Sequence, residues 1–274
     1  MEKEIYYPKN RNVGKVKYLA ISAHQDDVEI MAYHGIGKGY RSKKYSFAAV
    51  VTSDGAGSAR TNEFKDYTDE MMKEVRYKEQ KEASEIGHYN VLYLLKHPSS
   101  QIKDPKDEEI INQYVEIIKE LKPEIIYTHN ILDKHPTHLG VVCKVIMAIR
   151  RLPKEIRPKH VYAMEVWRDL DWVNDEDKIA FDVSYNKKLQ RDILNVFKSQ
   201  IIGGKRYDLA TVGRRYANAT YAQSHSVDAM KMISFGIKLD PLFKNEKLSI
   251  AEFAKGFIDR FENQALKDLK KVSE

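Results

Sequence analysis

Short apolar runs alternate along the first half of the chain with longer stretches in which apolar residues recur at helical spacing. "VKYLAIS" (16–22), "YSFAAVVTSDG" (45–55), "VLYLL" (91–95) and "EIIYTHN" (124–130) are continuous enough to be buried strands. Between them, "YTDEMMKEVRYKEQKEASEIG" reads as a helix that Thr68 or Asp69 can cap and Gly87 ends. "DEEIINQYVEIIKELKP" places Ile110, Ile111, Tyr114, Val115, Ile118 and Leu121 on one helical stripe, with Pro123 just beyond. A further helix, "HLGVVCKVIMAIRRL", is expected to begin at His138. The strand-like runs "HVYAMEVW" (160–167) and "KIAFDVS" (178–184) follow, then a helix "KKLQRDILNVFKSQI". The tail reads as a loop-rich stretch and a last amphipathic helix, "SIAEFAKGFIDRFENQALKDL".

Strands that alternate with helices require crossover connections, and crossovers give a parallel sheet covered on both faces. The expectation is a Rossmann-like three-layer αβα fold of class α/β, with a mostly parallel sheet and a C-terminal helical and loop elaboration. No internal repeat, low-complexity segment or Pro/Gly/Ser-rich linker divides the chain. Residues 1–274 read as a single domain, with its core at about 16–185 and the elaboration at about 186–274.

Composition narrows the class. Hydrophobic residues make up 42% and charged residues 31%, as in a globular protein. No run is long and apolar enough to cross a bilayer, and the charged N-terminal stretch lacks an apolar leader, so a cytoplasmic protein without a membrane partner is expected. Cys143 is the only cysteine, which excludes an intrachain disulfide and a thiolate zinc cluster. The net charge of +6 could suit a polyanion, but the lysines are interspersed with glutamates, as in "EVRYKEQKEASE", and no nucleic-acid-binding signature accompanies them. A solvated surface explains them, and no nucleic-acid partner is expected.

Two polar clusters stand at the carboxyl ends of predicted strands, where open parallel sheets bind ligands. The first is His24-Gln25-Asp26-Asp27 and the second is "HNILDKHPTH" (129–138). Adjacent carboxylates at the end of a core strand repel each other, and burial raises the cost, so a cation, a basic side chain or water must offset them. His24 and Asp27 are three apart and project to one side if the chain turns helical, and His138 starts a helix. Together they form a His/Asp/His set with the donors that catalytic zinc uses. Asp26 would stand beside the metal, suited to deprotonating water, and His135 would face the same cavity as a proton donor or oxyanion stabiliser. Taken singly, each residue has a plainer reading. His24 could be a hydrogen-bonded structural histidine, Asp26 or Asp27 a helix cap, and Arg76 an ion-paired surface group. The "SDGAGS" loop (53–58) lacks a dinucleotide-binding fingerprint and reads as a flexible active-site wall.

The motifs "AHQDDVEI" and "THNILDKHPTHLGV" resemble those of the PIG-L/LmbE-like deacetylases, zinc-dependent hydrolases that remove acyl groups from the nitrogen of amino sugars. "VVTSDGAGS", "RYKEQKEASEIG", "FDVSYNKKLQRDILNVFKSQ" and, more weakly, "YAQSH" extend the resemblance over roughly residues 16–225. It implies His24, Asp27 and His138 as metal ligands for Zn2+, or for iron or another divalent metal. It implies Asp26 as general base and His135 as the group that stabilises the oxyanion and protonates the leaving amine. Arg76 falls where the family often holds substrate hydroxyls or phosphate, while His129, Asp133 and Thr137 are expected to support the ligands from behind. The implied partner is a small amino-sugar substrate of the N-acetylglucosamine type, and a homo-oligomer is allowed.

The chain departs from the family pattern at three places. Gln25 replaces a proline, which frees φ without removing a ligand. Thr137 replaces an aspartate near His135, so the imidazolium form of His135 should be less supported and its pKa lower, unless Asp133 compensates. Gln223 replaces a glutamate. Two rival functions therefore stand beside sugar N-deacetylation: an amidase for another N-acyl or cysteinyl-sugar conjugate, and a catalytically impaired carbohydrate-binding relative.

Overall fold

A computed structural model describes residues 3–273. Eight strands form one sheet: β1 (Glu4–Tyr6), β2 (Lys15–Ser22), β3 (Tyr45–Ser53), β4 (Leu92–His97), β5 (Ile125–His129), β6 (His160–Met164), β7 (Lys178–Asp182) and β8 (Ile233–Lys238). The helices are α1 (Asp27–Met31), α2 (Tyr33–Gly39), α3 (Asp69–Ile86), α4 (Ser99–Lys103), α5 (Glu109–Leu121), α6 (Pro136–Arg151), α7 (Lys187–Asn195), α8 (Lys198–Ile202), α9 (Tyr207–Thr220), α10 (Asp240–Lys244) and α11 (Ile250–Ser273). Three short 3-10 turns complete the described elements.

The sheet order is β1-β4-β3-β2-β5-β6-β8-β7. β4, β3, β2, β5 and β6 run parallel, and the antiparallel strands β1 and β8–β7 extend the two edges. The αβα architecture expected from the sequence is borne out. The chain builds outward from β2 to β4, then crosses back to place β5 on the other side of β2. The order therefore reverses between β2 and β5, at a topological switch point. Both polar clusters follow these two strands.

Strand periodicity divides the core in two. Along β2 and β3, Leu19, Ile21, Ala48 and Val50 enter the layer that also holds Ile110, Ile111, Tyr114, Ile118, Val142, Val145 and Ile146 of α5 and α6. Their alternates Tyr18, Ala20, Phe47, Ala49 and Val51 enter the layer with Val28, Met31, Tyr33 and Ile36 of α1 and α2. The caps of α3 follow expectation: Thr68 accepts from the Met71 N–H at 3.2 Å, and the helix ends at Gly87.

Several elements differ from the sequence reading. Helix α6 starts at Pro136, two residues before His138, because proline suits the first helical turn. The predicted helix at 187–201 breaks at Val196–Phe197, and α8 restarts with Ser199 held by Glu79. The stretch expected to be loop-rich contains α9 and β8. In α9 the buried face is polar (Thr211, Arg215, Asn218), so no apolar stripe marks it. Arg215 spends its donors on the carbonyls of Glu29 and Ile30 at the end of α1 and on Gln190. In β8 only Ile233, Phe235 and Ile237 alternate, with Gly236 between them pressed toward Met164 of β6. No described helix is long and apolar enough to cross a membrane.

One close approach sets the relation of α6 to α4. A Cβ added to Gly140 would lie 2.4 Å from the carbonyl oxygen of Ile102, a backbone atom that cannot swing aside. Gly140→Ala should therefore destabilise the fold by about 1–3 kcal/mol, as overpacking does. Urea unfolding checks this, and an unchanged midpoint would show that the two helices slide freely.

Candidate metal centre and active site

His24 leaves the end of β2, Asp27 opens α1, and His138 lies in the first turn of α6. Their approach is mutual. His24 Nδ1 is 3.2 Å from Asp27 Oδ2 and 3.2 Å from His138 Nε2, and His138 Nε2 is 3.4 Å from Asp27 Oδ2. Ligand atoms about 2.0–2.1 Å from a shared ion in tetrahedral array stand roughly 3.3 Å apart. The three atoms therefore have the spacing of three corners of such an array.

The hydrogen bonds behind them decide which lone pairs are free. Asp133 Oδ2 lies 3.3 Å from His138 Nδ1, which fixes the proton there and leaves Nε2 as a donor to a cation. The backbone N–H of His24 donates to Asp27 Oδ2 at 2.7 Å and steadies that carboxylate. His129 also comes within 3.4 Å of Asp27, through Nε2, and its ring stacks on His138 at 3.8 Å. That nitrogen, however, accepts the Ala23 N–H at 2.8 Å, so its lone pair is occupied. Burial and the neighbouring imidazole of His138 hold the pKa of His129 well below the usual range, so it packs the site as a neutral ring. His24, His135 and His138 also cluster closely enough to share an ion. The set with Asp27 has the carboxylate that would balance the ion's charge, and it fits a divalent cation.

The two adjacent carboxylates are offset separately. Asp27 lies among imidazoles, which overcome the cost of burial and hold its pKa well below the usual value. Asp26 meets the buried guanidinium of Arg76, with Nη2 donating to Oδ2 at 2.7 Å. Burial still outweighs that attraction, aided by repulsion from Asp27, and pushes the pKa of Asp26 up to about 6. Its backbone sits at φ 91°, a strained value for a residue with a Cβ, and it makes no capping bond to α1. Its N–H donates to Gln80 Oε1 at 3.2 Å. With Oδ2 taken by Arg76, Oδ1 is the oxygen left to receive a proton.

Arg76 is 2% exposed, and both of its terminal nitrogens are engaged. Besides Asp26 it donates to the Gln25 carbonyl, to Glu79 Oε2 at 3.2 Å and to Ser199 Oγ at 3.3 Å. The substrate contact implied for it by resemblance is not what its guanidinium is doing here. Glu79 in turn accepts the N–H and the hydroxyl of Ser199, each at 2.7 Å, which ties α8 to α3. Gly55 at φ +78° lets the 53–58 loop pass against this arginine: a Cβ there would lie 2.8 Å from Gln25 Oε1 and 3.1 Å from Arg76 Cβ.

His135 borders the cavity, half-buried, with its ring 4.9 Å from that of His24 and 4.6 Å from that of His138. Asp133 does not compensate for Thr137. Its Oδ1 accepts the backbone N–H of His135 at 3.1 Å, and its Oδ2 also accepts that of Trp167, so no carboxylate reaches the imidazole. The pKa of His135 falls to about 4, through burial first and then the nearby imidazoles of His138 and His24. Thr137 is buried and lines the cavity wall. Gln223 is exposed, on the turn after α9, and lines no part of the cavity.

The cavity above these residues measures about 490 Å³, the size of a small-molecule site. The "SDGAGS" loop supplies part of the wall, as expected, through Ser53, Gly55, Gly57 and Ser58. Trp167, Lys205, Tyr207, Thr211 and Arg214 supply the other side; Trp167 and the tyrosines could be read from sequence as sugar-stacking or core residues alike, whereas Lys205, Thr211 and Arg214 carry no such signal. Four of them lie on α9 or just before it, the helix whose polar inner face hid it.

The three-layer α/β fold carries a His/Asp cluster at its switch point, and comparisons with known proteins show what this arrangement is similar to. The model of the PIG-L family, described as GlcNAc-PI de-N-acetylase, matches residues 19–149, which contain both polar clusters. The match covers the part of the chain in which the motifs resemble those of the PIG-L/LmbE-like proteins. No curated protein matches it in sequence. Among solved structures it is similar to the N,N'-diacetylchitobiose deacetylase of Pyrococcus horikoshii, at 15% identity and TM-score 0.64, covering 84% of this chain and 85% of that one. It is also similar to a deacetylase of teicoplanin biosynthesis, at 11% identity and TM-score 0.55, covering 81% and 97%. The 4-carboxy-2-hydroxymuconate hydratase of Pseudomonas putida shares the fold as well, at 17% identity and TM-score 0.60, covering 82% and 97%. Identities this low establish a common fold, and the presence of a hydratase shows that the fold alone does not choose the reaction.

Among the described residues, Arg76 is the one cation that pairs with both Asp26 and Glu79. Arg76→Met should cost about 3–5 kcal/mol, because it leaves two buried carboxylates unpaired. Adding Asp26→Asn should recover part of that loss. Chemical denaturation of the single and double variants measures it; strictly additive losses would show that the two residues do not interact.

Proposed function

We propose that this protein is a metal-dependent N-deacetylase of an amino sugar, with His24, Asp27 and His138 as the ligands and zinc as the ion they suit best. The observation that carries the reading is the mutual spacing of their three donor atoms, 3.2–3.4 Å, beside a carboxylate held outside the cluster. The PIG-L match over the same residues and the two deacetylases among the similar folds support it. A divalent cation held there supplies Lewis acidity toward the acyl oxygen and lowers the pKa of water.

The remaining work falls to side chains. Asp26, anchored by Arg76 through one oxygen, takes the proton from the attacking water on the other. Addition of that water to the acyl carbon moves negative charge onto the acyl oxygen. His135, with no carboxylate on its ring, offers a hydrogen bond to that charge. When the C–N bond breaks, the proton held by Asp26 passes to the departing nitrogen. The acid so released gives up its hydroxyl proton to the amine, so the products are acetate and the protonated amine, and atoms and protons balance. Asp133 fixes the tautomer of His138 from behind, and the strained backbone of Asp26 keeps its carboxylate at the cavity edge.

Elemental analysis of the purified protein should find about one equivalent of a divalent metal, and His24→Ala/His138→Ala should lose it. Asp26→Asn should keep the metal yet release acetate from N-acetylamino sugars roughly 10²–10⁴ times more slowly. Metal-free protein that takes up no zinc would overturn the reading. Full activity in Asp26→Asn would remove Asp26 from its assigned role.

A further inference from the structure

Helix α11 is amphipathic over its whole length, yet the body of the protein uses only its first half. Ile250, Phe253, Ala254 and Phe257 pack into the core layer that holds α5 and α6. Arg260 then holds Asp177 through Nε at 2.6 Å, its carbonyl accepts from Asn174, and the ring of Phe261 meets Trp172 edge-on. Every residue from Arg260 to Ser273 is exposed, and beyond Phe261 the helix runs on for about three turns.

The apolar stripe does not stop where the anchoring does. Ile258, Phe261, Ala265, Leu269 and Val272 continue it. The steps from 258 to 269 and from 261 to 272 are each eleven residues, three helical turns, so the stripe keeps to one line of a nearly straight helix. Leu269 is 60% exposed and Val272 84%, and Ile258 and Phe261 are exposed as well. A helix end of about 12 residues is marginal by itself in water, and a line of large apolar side chains left open marks a contact surface.

The partner that fits is a second copy of this chain. Ala265, the smallest residue of the stripe, lies at its middle. Two antiparallel copies crossing there set Phe261 of each against Leu269 of the other, and Ile258 against Val272, so bulk faces bulk on both sides of a close approach. Charge favours the same direction. Lys255 pairs with Asp259, Arg260 with Asp177 and Lys271 with Asp268. Among the described residues this leaves acid in surplus in the first half of the helix, at Glu252 and Glu262, and lysine in the second, at Lys267 and Lys270. Antiparallel pairing brings the acidic half against the lysine half and opposes the helix dipoles, whereas parallel pairing stacks like on like. An anionic lipid surface fits less well, because Glu262 and Asp268 border the stripe on its two sides. Pairing five side chains from each copy buries on the order of 1,000 Å² in all, at the lower end of specific interfaces.

We infer that the second half of α11 is a dimerisation helix, which pairs antiparallel with its own copy across a two-fold axis at Ala265. The contact is independent of the reaction and joins the two bodies at opposite ends of a short helical pair.

Sedimentation velocity of the full chain over about 1–100 µM tests it. A monomer should give way to a dimer with a dissociation constant on the order of micromolar. Leu269→Glu/Val272→Glu should remain monomeric over that range, with the unfolding midpoint of dilute protein unchanged, since both side chains are exposed. Single cysteines placed in a Cys143→Ala background read the direction. Mild oxidation should link Ala265→Cys into dimers and leave Val272→Cys unlinked, because antiparallel copies of residue 272 stand about 20 Å apart along the axis. A monomer at every concentration, a dimer that survives in the folded double variant, an unlinked Ala265→Cys, or a Val272→Cys that links as readily would each overturn the inference. A chain that stays monomeric but sediments with phosphatidylserine vesicles would give the stripe to a lipid surface instead.

Discussion

The site depends on how two neighbouring carboxylates are kept apart in charge. Asp26 and Asp27 follow one another at the end of a central strand, both almost fully buried. Left alone, one of them would take a proton, as like charges in a low-dielectric site must. The fold instead gives each its own counter-charge. Asp27 turns into the imidazoles of His24 and His138, and Asp26 turns away to Arg76. The positive φ of Asp26 makes that divergence, since the peptide must rotate to send consecutive side chains to different partners. The strain is held by bonds on every side: Arg76 on the carboxylate, Gln80 on the N–H, and Arg76 again on the preceding carbonyl.

From that pairing the wider architecture follows. Arg76 can be buried only because Glu79, one turn along α3, balances its second edge. Glu79 keeps a spare bonding capacity, and Ser199 fills it with both its N–H and its hydroxyl. That contact fixes α8, and α8 leads directly through Gly203-Gly204-Lys205 into α9, which walls the cavity. A chain of buried charge and hydrogen bonding thus runs from Asp26 to the opposite wall of the cavity. A change in the Arg76–Glu79 pair would be felt both at Asp26 and in the position of Lys205.

The central sheet was legible in the sequence because burial on both faces leaves a simple mark. The runs at 16–22, 45–55, 91–95 and 124–130 are continuous and apolar, and each proved to be one of the parallel strands. The polar clusters were legible for the same reason: charged residues stand out at the end of an apolar strand, and the switch-point rule brings the ends of β2 and β5 together. What escaped notice were elements whose inner faces are not apolar. Helix α9 buries Arg215, Thr211 and Asn218, so its pattern is inverted relative to an ordinary amphipathic helix. Strand β8 mixes serine and glycine with its alternating apolar residues, and its place between β6 and β7 is a long-range fact that no local window contains. The role of Arg76 was hidden similarly. A mid-helix arginine looks like a surface group until the helix is seen to press it against Asp26.

The contrast between the two sides of the cavity bears on how proteins of this fold diversify. The reacting side is assembled from the ends of β2 and β5 and the first turns of α1 and α6, elements fixed by the sheet and by the close approach of α6 to α4. The opposite side comes from Val166–Trp167, from the segment after α8, and from α9, which pack through polar contacts such as Arg215 with Gln190. Polar packing depends on donor and acceptor geometry more than on volume, so a helix held this way can change its outward residues without disturbing its inner ones. Arg214 is such an outward residue, while Arg215, adjacent to it, holds α1 in place. Two consecutive arginines thus divide the duties of the helix: one secures the element that carries Asp27, and the other faces the cavity. That division lets the charge of the cavity wall vary while the geometry of the His/Asp cluster is kept.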